Sequence, residues 1–230
     1  MGADRIIVAL DVASMDLALA WCDRLPEVQF WKVGLELFTA VGREVVWELK
    51  QRHKRVFLDL KLHDIPHTVA KTCERLADLG VDFVTVHSCG GKDMITAATQ
   101  ALAGSHTQVV AVSLLTSIAS TQLVAELQIN LPLANYVAEM ASLAEQSGAQ
   151  GIVCSPQEIA LLRSHLKPQT LLVTPGIRLA SDQLDDQKRV MTPKQAITLG
   201  ADYLVIGRSI LAAADPQQAW QQCQIALRDS

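Results

Sequence analysis

Eight short apolar runs, each followed by a longer polar or amphipathic stretch, constrain this chain more than any other feature. The runs are RIIVALDV (5–12), FWKVGL (30–35), VFLDLKL (56–62), DFVTVHS (82–88), VVAVSLL (109–115), GIVCS (151–155), LLVTPG (171–176) and YLVIGRS (203–209). Near-continuous apolar strands suit a parallel sheet covered on both faces. Helix-like stretches lie between them at 15–25, 66–79, 91–103, 131–147, 156–166 and 193–199. Ser14 is placed to cap the first, and Pro66 to open the second. Gly80, Gly148 and Gly200 stand just past three of them, where a helix C-terminus favours glycine. Eight strand–helix units in 230 residues predict an α/β chain forming one (β/α)8 TIM barrel over 1–230. A doubly wound open sheet is the alternative. It normally has fewer strands and often a G-x-G-x-x-G turn after the first, whereas here that turn reads LDVASMD.

Half the residues are hydrophobic and 19% are charged, enough for a large core. Net charge is −4, so there is no global basic field and nucleic-acid binding is disfavoured. The five cysteines are dispersed without a C-x-x-C pair, which reads as reduced thiols rather than a disulfide framework. No run approaches a membrane span, and the first apolar run is too short for a signal peptide. The expectation is a cytoplasmic protein with no membrane partner.

In a barrel, polar residues at the C-terminal ends of strands read as functional. Asp11 ends the first run, Lys32 lies in the second, and Asp59 and Lys61 lie in the third. Asp59 and Lys61 are two apart and so share one face of their strand, while Leu58, Leu60 and Leu62 take the face toward the helices. Both then point into the barrel mouth, toward Asp11 and Lys32. The bland reading is a structural ion-pair network, but buried ion pairs stabilise a fold poorly.

FLDLKLHDIPHT (57–68) also raises a metal reading, because His63 and His67 stand four apart. The motif is not H-E-x-x-H, and Pro66 disfavours helix at Ile65. No metal ligands are therefore assigned, and His63 and His67 are expected in a loop. A phosphate reading falls on YLVIGRS, where a strand runs into Gly207 and Arg208 and then a helix. TPGIR (174–178), with Pro175 and Arg178, reaches the same rim. The polar stretch after the seventh strand, about 176–192, is expected to be a mobile phosphate-gripping loop.

In this order the residues resemble a known family. D-x-K-x-x-D-I-P-x-T, here Asp59 to Thr68, resembles the signature of the bacterial-type orotidine 5′-phosphate decarboxylases. VALDV, KVG, LLTS, TPGIR, DDQKRVMTP and YLVIGRSI follow in the family's order over essentially the whole chain. The D-x-K-x-x-D core is also similar to that of Mg²⁺-dependent sugar-phosphate decarboxylases such as 3-keto-gulonate-6-phosphate decarboxylase. Those carry an acid on the second strand, where this chain has Lys32. A non-catalytic nucleotide-binding barrel is a third reading.

The resemblance implies that orotidine 5′-monophosphate is decarboxylated to UMP, a step of pyrimidine biosynthesis, without a cofactor. Lys61 would protonate carbon 6, with Asp59 beside the substrate carboxylate. Lys32 would link Asp59 to the ribose, and Asp11 would bind ribose as well. Asp64, Ile65 and Thr68 would enter the neighbouring site of a homodimer. Thr116 would lie near ribose or pyrimidine. Arg178, Gly207 and Arg208 would hold the 5′-phosphate, Pro175 would contact the substrate, and Gln187 would bridge phosphate and base.

Overall fold

The computed structural model describes residues 3–179 and 191–228. Strands β1 (Ile6–Leu10), β2 (Phe30–Gly34), β3 (Arg55–Leu62), β4 (Phe83–His87), β5 (Gln108–Val112), β6 (Gly151–Val153), β7 (Leu171–Thr174) and β8 (Tyr203–Ile206) close in chain order into a parallel barrel. Ile6 pairing with Leu204 makes the closure. The expected (β/α)8 barrel is the observed fold, and the open sheet is excluded by this closure.

Helices α1 (Met15–Arg24), α2 (Leu35–Val41), α3 (Glu44–Gln51), α4 (Pro66–Ala77), α5 (Gly91–Ala101) and α6 (Ser120–Ala125) are followed by α7 (Leu133–Gln146), α8 (Ile159–His165), α9 (Pro193–Thr198), α10 (Arg208–Leu211) and α11 (Pro216–Arg228). Ser14 Oγ accepts the Leu17 N–H at 3.3 Å, and Pro66 opens α4, as the sequence predicts. Gly80, Gly148 and Gly200 have φ of 65°, 93° and 108°, the left-handed exits that glycine accepts without strain. His67 lies in the first turn of α4, not in a loop, because the helix begins one residue earlier at Pro66. Among the described residues, no helix is long and apolar enough to cross a membrane.

Strand side chains alternate between two cores. Outward residues such as Ile6, Val8, Trp31, Val33, Leu58 and Val84 pack against the helices. Inward residues stack in layers drawn from alternate strands. Phe30, Phe83 and Tyr203 form an aromatic floor, with centroids 5.1 to 5.9 Å apart. Gly151 completes that layer on β6, where a Cβ would stand 3.1 Å from the Leu171 Cβ. The Arg55 guanidinium closes the floor, 4.0 Å over the Phe30 ring and 3.1 Å from Asp82. Ile7, Phe57, Val110 and Val173 pack above it.

One irregularity shapes the mouth. Leu58 pairs with Val84, but Leu62 pairs with Val86, so β3 advances four residues while β4 advances two. The excess is absorbed as a bulge in which Lys61 takes a left-handed φ of 52°.

Candidate active site

Inward parity brings Lys32 from β2, Asp59 and Lys61 from β3, and Thr85 from β4 above the apolar layers. Asp11 follows β1 at the rim. The charges alternate in space. Asp11 Oδ1 lies 3.1 Å from Lys32 Nζ, and Lys32 Nζ lies 3.6 Å from Asp59 Oδ2. Lys61 Nζ donates to both Asp59 oxygens at 2.9 Å. The Asp59 and Lys32 side chains are only 13% and 12% exposed, so water screens this contact little. Gly34 makes the Lys32 position available, since a Cβ there would stand 2.9 Å from Lys32 Nζ.

Two adjoining cavities meet at this array, both lined by Lys32, Pro175 and Val205. One, of about 160 Å³, adds Asp59, Lys61 and Thr116 and walls of Phe57, Val112, Leu114, Leu115 and Val153. The other, of about 220 Å³, adds Asp11, Arg178, Gly207 and Arg208 with Ala9, Gly176 and Ile177. Arg178 Nη2 is buried with no hydrogen-bond partner among the described residues, and Nη1 reaches Ser209 Oγ only at 3.4 Å. A buried guanidinium N–H without an acceptor is costly, and an anion would satisfy it. Gly207 precedes α10, which is a single turn. A single turn offers an anion no long helix dipole, so the Arg178 guanidinium is the stronger feature of this rim.

Asp64, Ile65 and Thr68 are exposed at the start of α4 and line neither cavity of their own chain. The Asp64 carboxylate accepts the Ile65 N–H at 2.7 Å. Gln187, and most of the expected loop over 176–192, lie outside the described residues. Flanking that segment, Ile177 bridges Met191, and Met191 O accepts the Arg178 N–H at 3.0 Å.

The histidines gather without joining the charge array. The His63 and His87 rings stand 5.6 Å apart, and His63 Nε2 lies 4.0 Å from Cys89 Sγ. Burial holds His87 below the usual imidazole range, aided by His63 and Lys61 and opposed by Asp59. None of the five cysteines forms a disulfide. Burial pushes Cys22 and Cys73 up to about 11 and Cys154 up to about 12, leaving unreactive thiols.

Sequence reasoning did not single out the apolar walls or Thr85. Leu114 and Leu115 read as the end of a strand, but β5 stops at Val112 and both turn into the mouth. Inward parity on β4, two residues before His87, is the signal that points to Thr85.

A closed parallel barrel with an alternating cation–carboxylate array at its strand C-termini, joined to an anion-seeking rim, defines a (β/α)8 barrel enzyme. Comparison with known proteins makes this particular. Residues 4–223 match the model of the orotidine 5′-phosphate decarboxylase / HUMPS family. Orotidine 5′-phosphate decarboxylase of Thermosynechococcus vestitus is 52% identical over 218 residues, covering 95% of this chain and 93% of that relative. The enzyme of that name from Nostoc sp. is 48% identical over 229 residues, 96% of each. The crystal structure of orotidine 5′-phosphate decarboxylase from Lactobacillus acidophilus superposes with a TM-score of 0.86 at 39% identity, covering 96% of this chain and 98% of that one. The chain belongs to the orotidine 5′-phosphate decarboxylase / HUMPS family and is a carboxy-lyase.

Proposed function

We propose that this protein converts orotidine 5′-monophosphate to UMP without a cofactor, with Lys61 as the proton donor. The observation that carries the reading is the Lys61 ammonium, held by both oxygens of Asp59 at 2.9 Å in a cavity with largely apolar walls beside an anion-seeking rim. The relatives bearing this activity in their names span nearly the whole chain.

The chemistry explains why such an array is needed. When the bond from carbon 6 to the carboxylate breaks, CO₂ leaves and the electron pair stays on carbon 6, with no adjacent sink. Without a cofactor to delocalise it, preorganised charge must stabilise it. The Lys61 ammonium offers that charge and delivers its proton to the same carbon, to be replaced later from water. Asp59 aims the ammonium and faces the departing carboxylate. Asp11 and Lys32 hold the ribose, with Thr116 beside ribose or pyrimidine. Pro175, Gly207, Arg178, Arg208 and Gln187 take the phosphate end. Binding energy from the phosphate, remote from the reacting carbon, supports positioning there.

Asp64, Ile65 and Thr68 complete the neighbouring site of a homodimer. The Mg²⁺-dependent sugar-phosphate reading is less well supported, because the Lys32 ammonium stands between Asp11 and Asp59, where it competes with a metal cation for both carboxylates.

The test follows loss of the orotate absorbance band in purified protein, with and without EDTA. Turnover that persists in EDTA is the expected result. Loss in EDTA with recovery on adding Mg²⁺ would favour the sugar-phosphate reading. UMP binding without turnover would favour a nucleotide-binding barrel. Lys61→Ala should still fold and bind UMP, with kcat lower by at least about a thousand-fold. Retention of most activity by that variant would remove Lys61 as the proton donor.

A further inference from the structure

Thr85 has a place in the site that the charge array does not explain. It lies in the middle of β4, fully buried, and lines neither cavity. Its hydroxyl instead has two partners on β3. It donates to Asp59 Oδ1 at 3.1 Å and accepts the Lys61 backbone N–H at 2.8 Å. A threonine hydroxyl carries one proton and two lone pairs, so both bonds are made at once.

The two bonds meet where β3 leaves regular pairing. Between Leu58 and Leu62 the ladder to β4 breaks, and Lys61 adopts φ of 52°, a conformation strained for a non-glycine residue. A regular ladder would give the Lys61 N–H a backbone carbonyl. Here a side-chain hydroxyl replaces it. The same hydroxyl holds one Asp59 oxygen, while Lys32 approaches the other at 3.6 Å from the opposite side. Asp59 is thus flanked from β2 and β4, and its carboxylate has little rotational freedom.

We propose that Thr85 is a positioning residue. Its one hydroxyl sets both the rotation of the Asp59 carboxylate and the backbone turn of Lys61, and so aims the ammonium into the cavity. The inference rests on the decarboxylase reading, and it adds a residue that touches no substrate.

The test compares Thr85→Val, which exchanges the hydroxyl for a methyl of similar size, with Thr85→Ser, which keeps the oxygen. Thr85→Val should lower kcat by about 10- to 100-fold, the scale of a small misplacement of a reacting group. KM and UMP affinity should stay within about threefold of wild type, because the binding contacts are untouched. Thr85→Ser should recover most of kcat. Amide hydrogen exchange at Lys61, followed by NMR without substrate, should quicken in Thr85→Val and not in Thr85→Ser. Wild-type kcat in Thr85→Val, or equal losses in both variants, would overturn the proposal. Should Thr85→Val not fold, Thr85→Ser and Thr85→Ala still differ by the oxygen alone. Serine exceeding alanine in kcat at least about tenfold supports the role, and equality overturns it. A wild-type protein inactive on orotidine 5′-monophosphate would defeat the functional reading instead, and the exchange measurement would still decide what Thr85 holds.

Discussion

Lys61 combines features that folding alone would disfavour in one residue: a left-handed backbone, a partly buried charged side chain and a bidentate contact with a carboxylate two positions away. Strain and buried charge collect where chemistry needs fixed geometry, and both are present here. His87 shows the neighbouring cost. Its imidazole is held below the ordinary value of 6.5, first by burial, then by His63 and Lys61, with Asp59 opposing. The folded state therefore resists a proton that the unfolded state accepts. Above about pH 6.5 both states are neutral at this site and there is no penalty. As pH falls below that value toward the lower folded pKa, stability is lost. Thermal melts between pH 7 and 5 should show a shallower loss of Tm in His87→Asn than in wild type, with an unchanged slope counting against the assignment. Asp11, Lys32, Asp59 and Lys61 were legible in the sequence because charges inside apolar runs demand a reason. Thr85 was not, because threonine is an ordinary strand residue and only its partners reveal its use.

At the scale of elements, β3 joins the two ends of the barrel. It begins at Arg55 on the floor and ends beyond Asp59 and Lys61 at Leu62. The floor is organised by Asp82, whose carboxylate accepts from Arg55 Nε at 3.1 Å, Lys50 Nζ at 3.1 Å and the Val56 N–H at 2.9 Å. Removing it leaves two cations and a backbone donor without their anion. Because both cations are partly solvated, Asp82→Ala should cost about 2 kcal/mol, or about 5 °C in Tm by calorimetry. Activity per folded molecule should be unchanged, since the floor lies at the opposite end of the barrel from the site. The strands were legible from their apolar runs, but α2, α3, α6 and α11 were not. α2 starts at Leu35, directly after Gly34, so no polar break separates it from β2. α11 has a glutamine-rich surface that masks its buried stripe of Ala219, Trp220, Cys223 and Leu227.

For the whole molecule, what matters is how many copies complete a site. Ile65 is 66% exposed, and Leu115, Val124, Leu127 and Leu131 are exposed in the segments that follow β5. Exposed apolar side chains, with Ile65 between Asp64 and Thr68, fit the homodimer proposed above. Mixing Lys61→Ala with Asp64→Ala protein tests it directly. After random subunit exchange half the dimers are mixed and one of their two sites is intact, so activity should return to about one quarter of wild type. No recovery despite demonstrated exchange would show that each chain serves only itself.

The sequence by itself determined the barrel, because eight apolar runs separated by helix-forming stretches can bury their surface in few other ways. It also determined which charges belong to the mouth, because strand alternation assigns each residue a face. Only the tertiary structure decided how those charges are aimed. The bulge in β3, the left-handed turn at Lys61 and the Thr85 hydroxyl that fastens both arise from pairing with β4, 26 residues from Asp59 along the chain. Local periodicity carries no record of a contact between distant strands, since the partner that relieves the strain is met only once the barrel has closed.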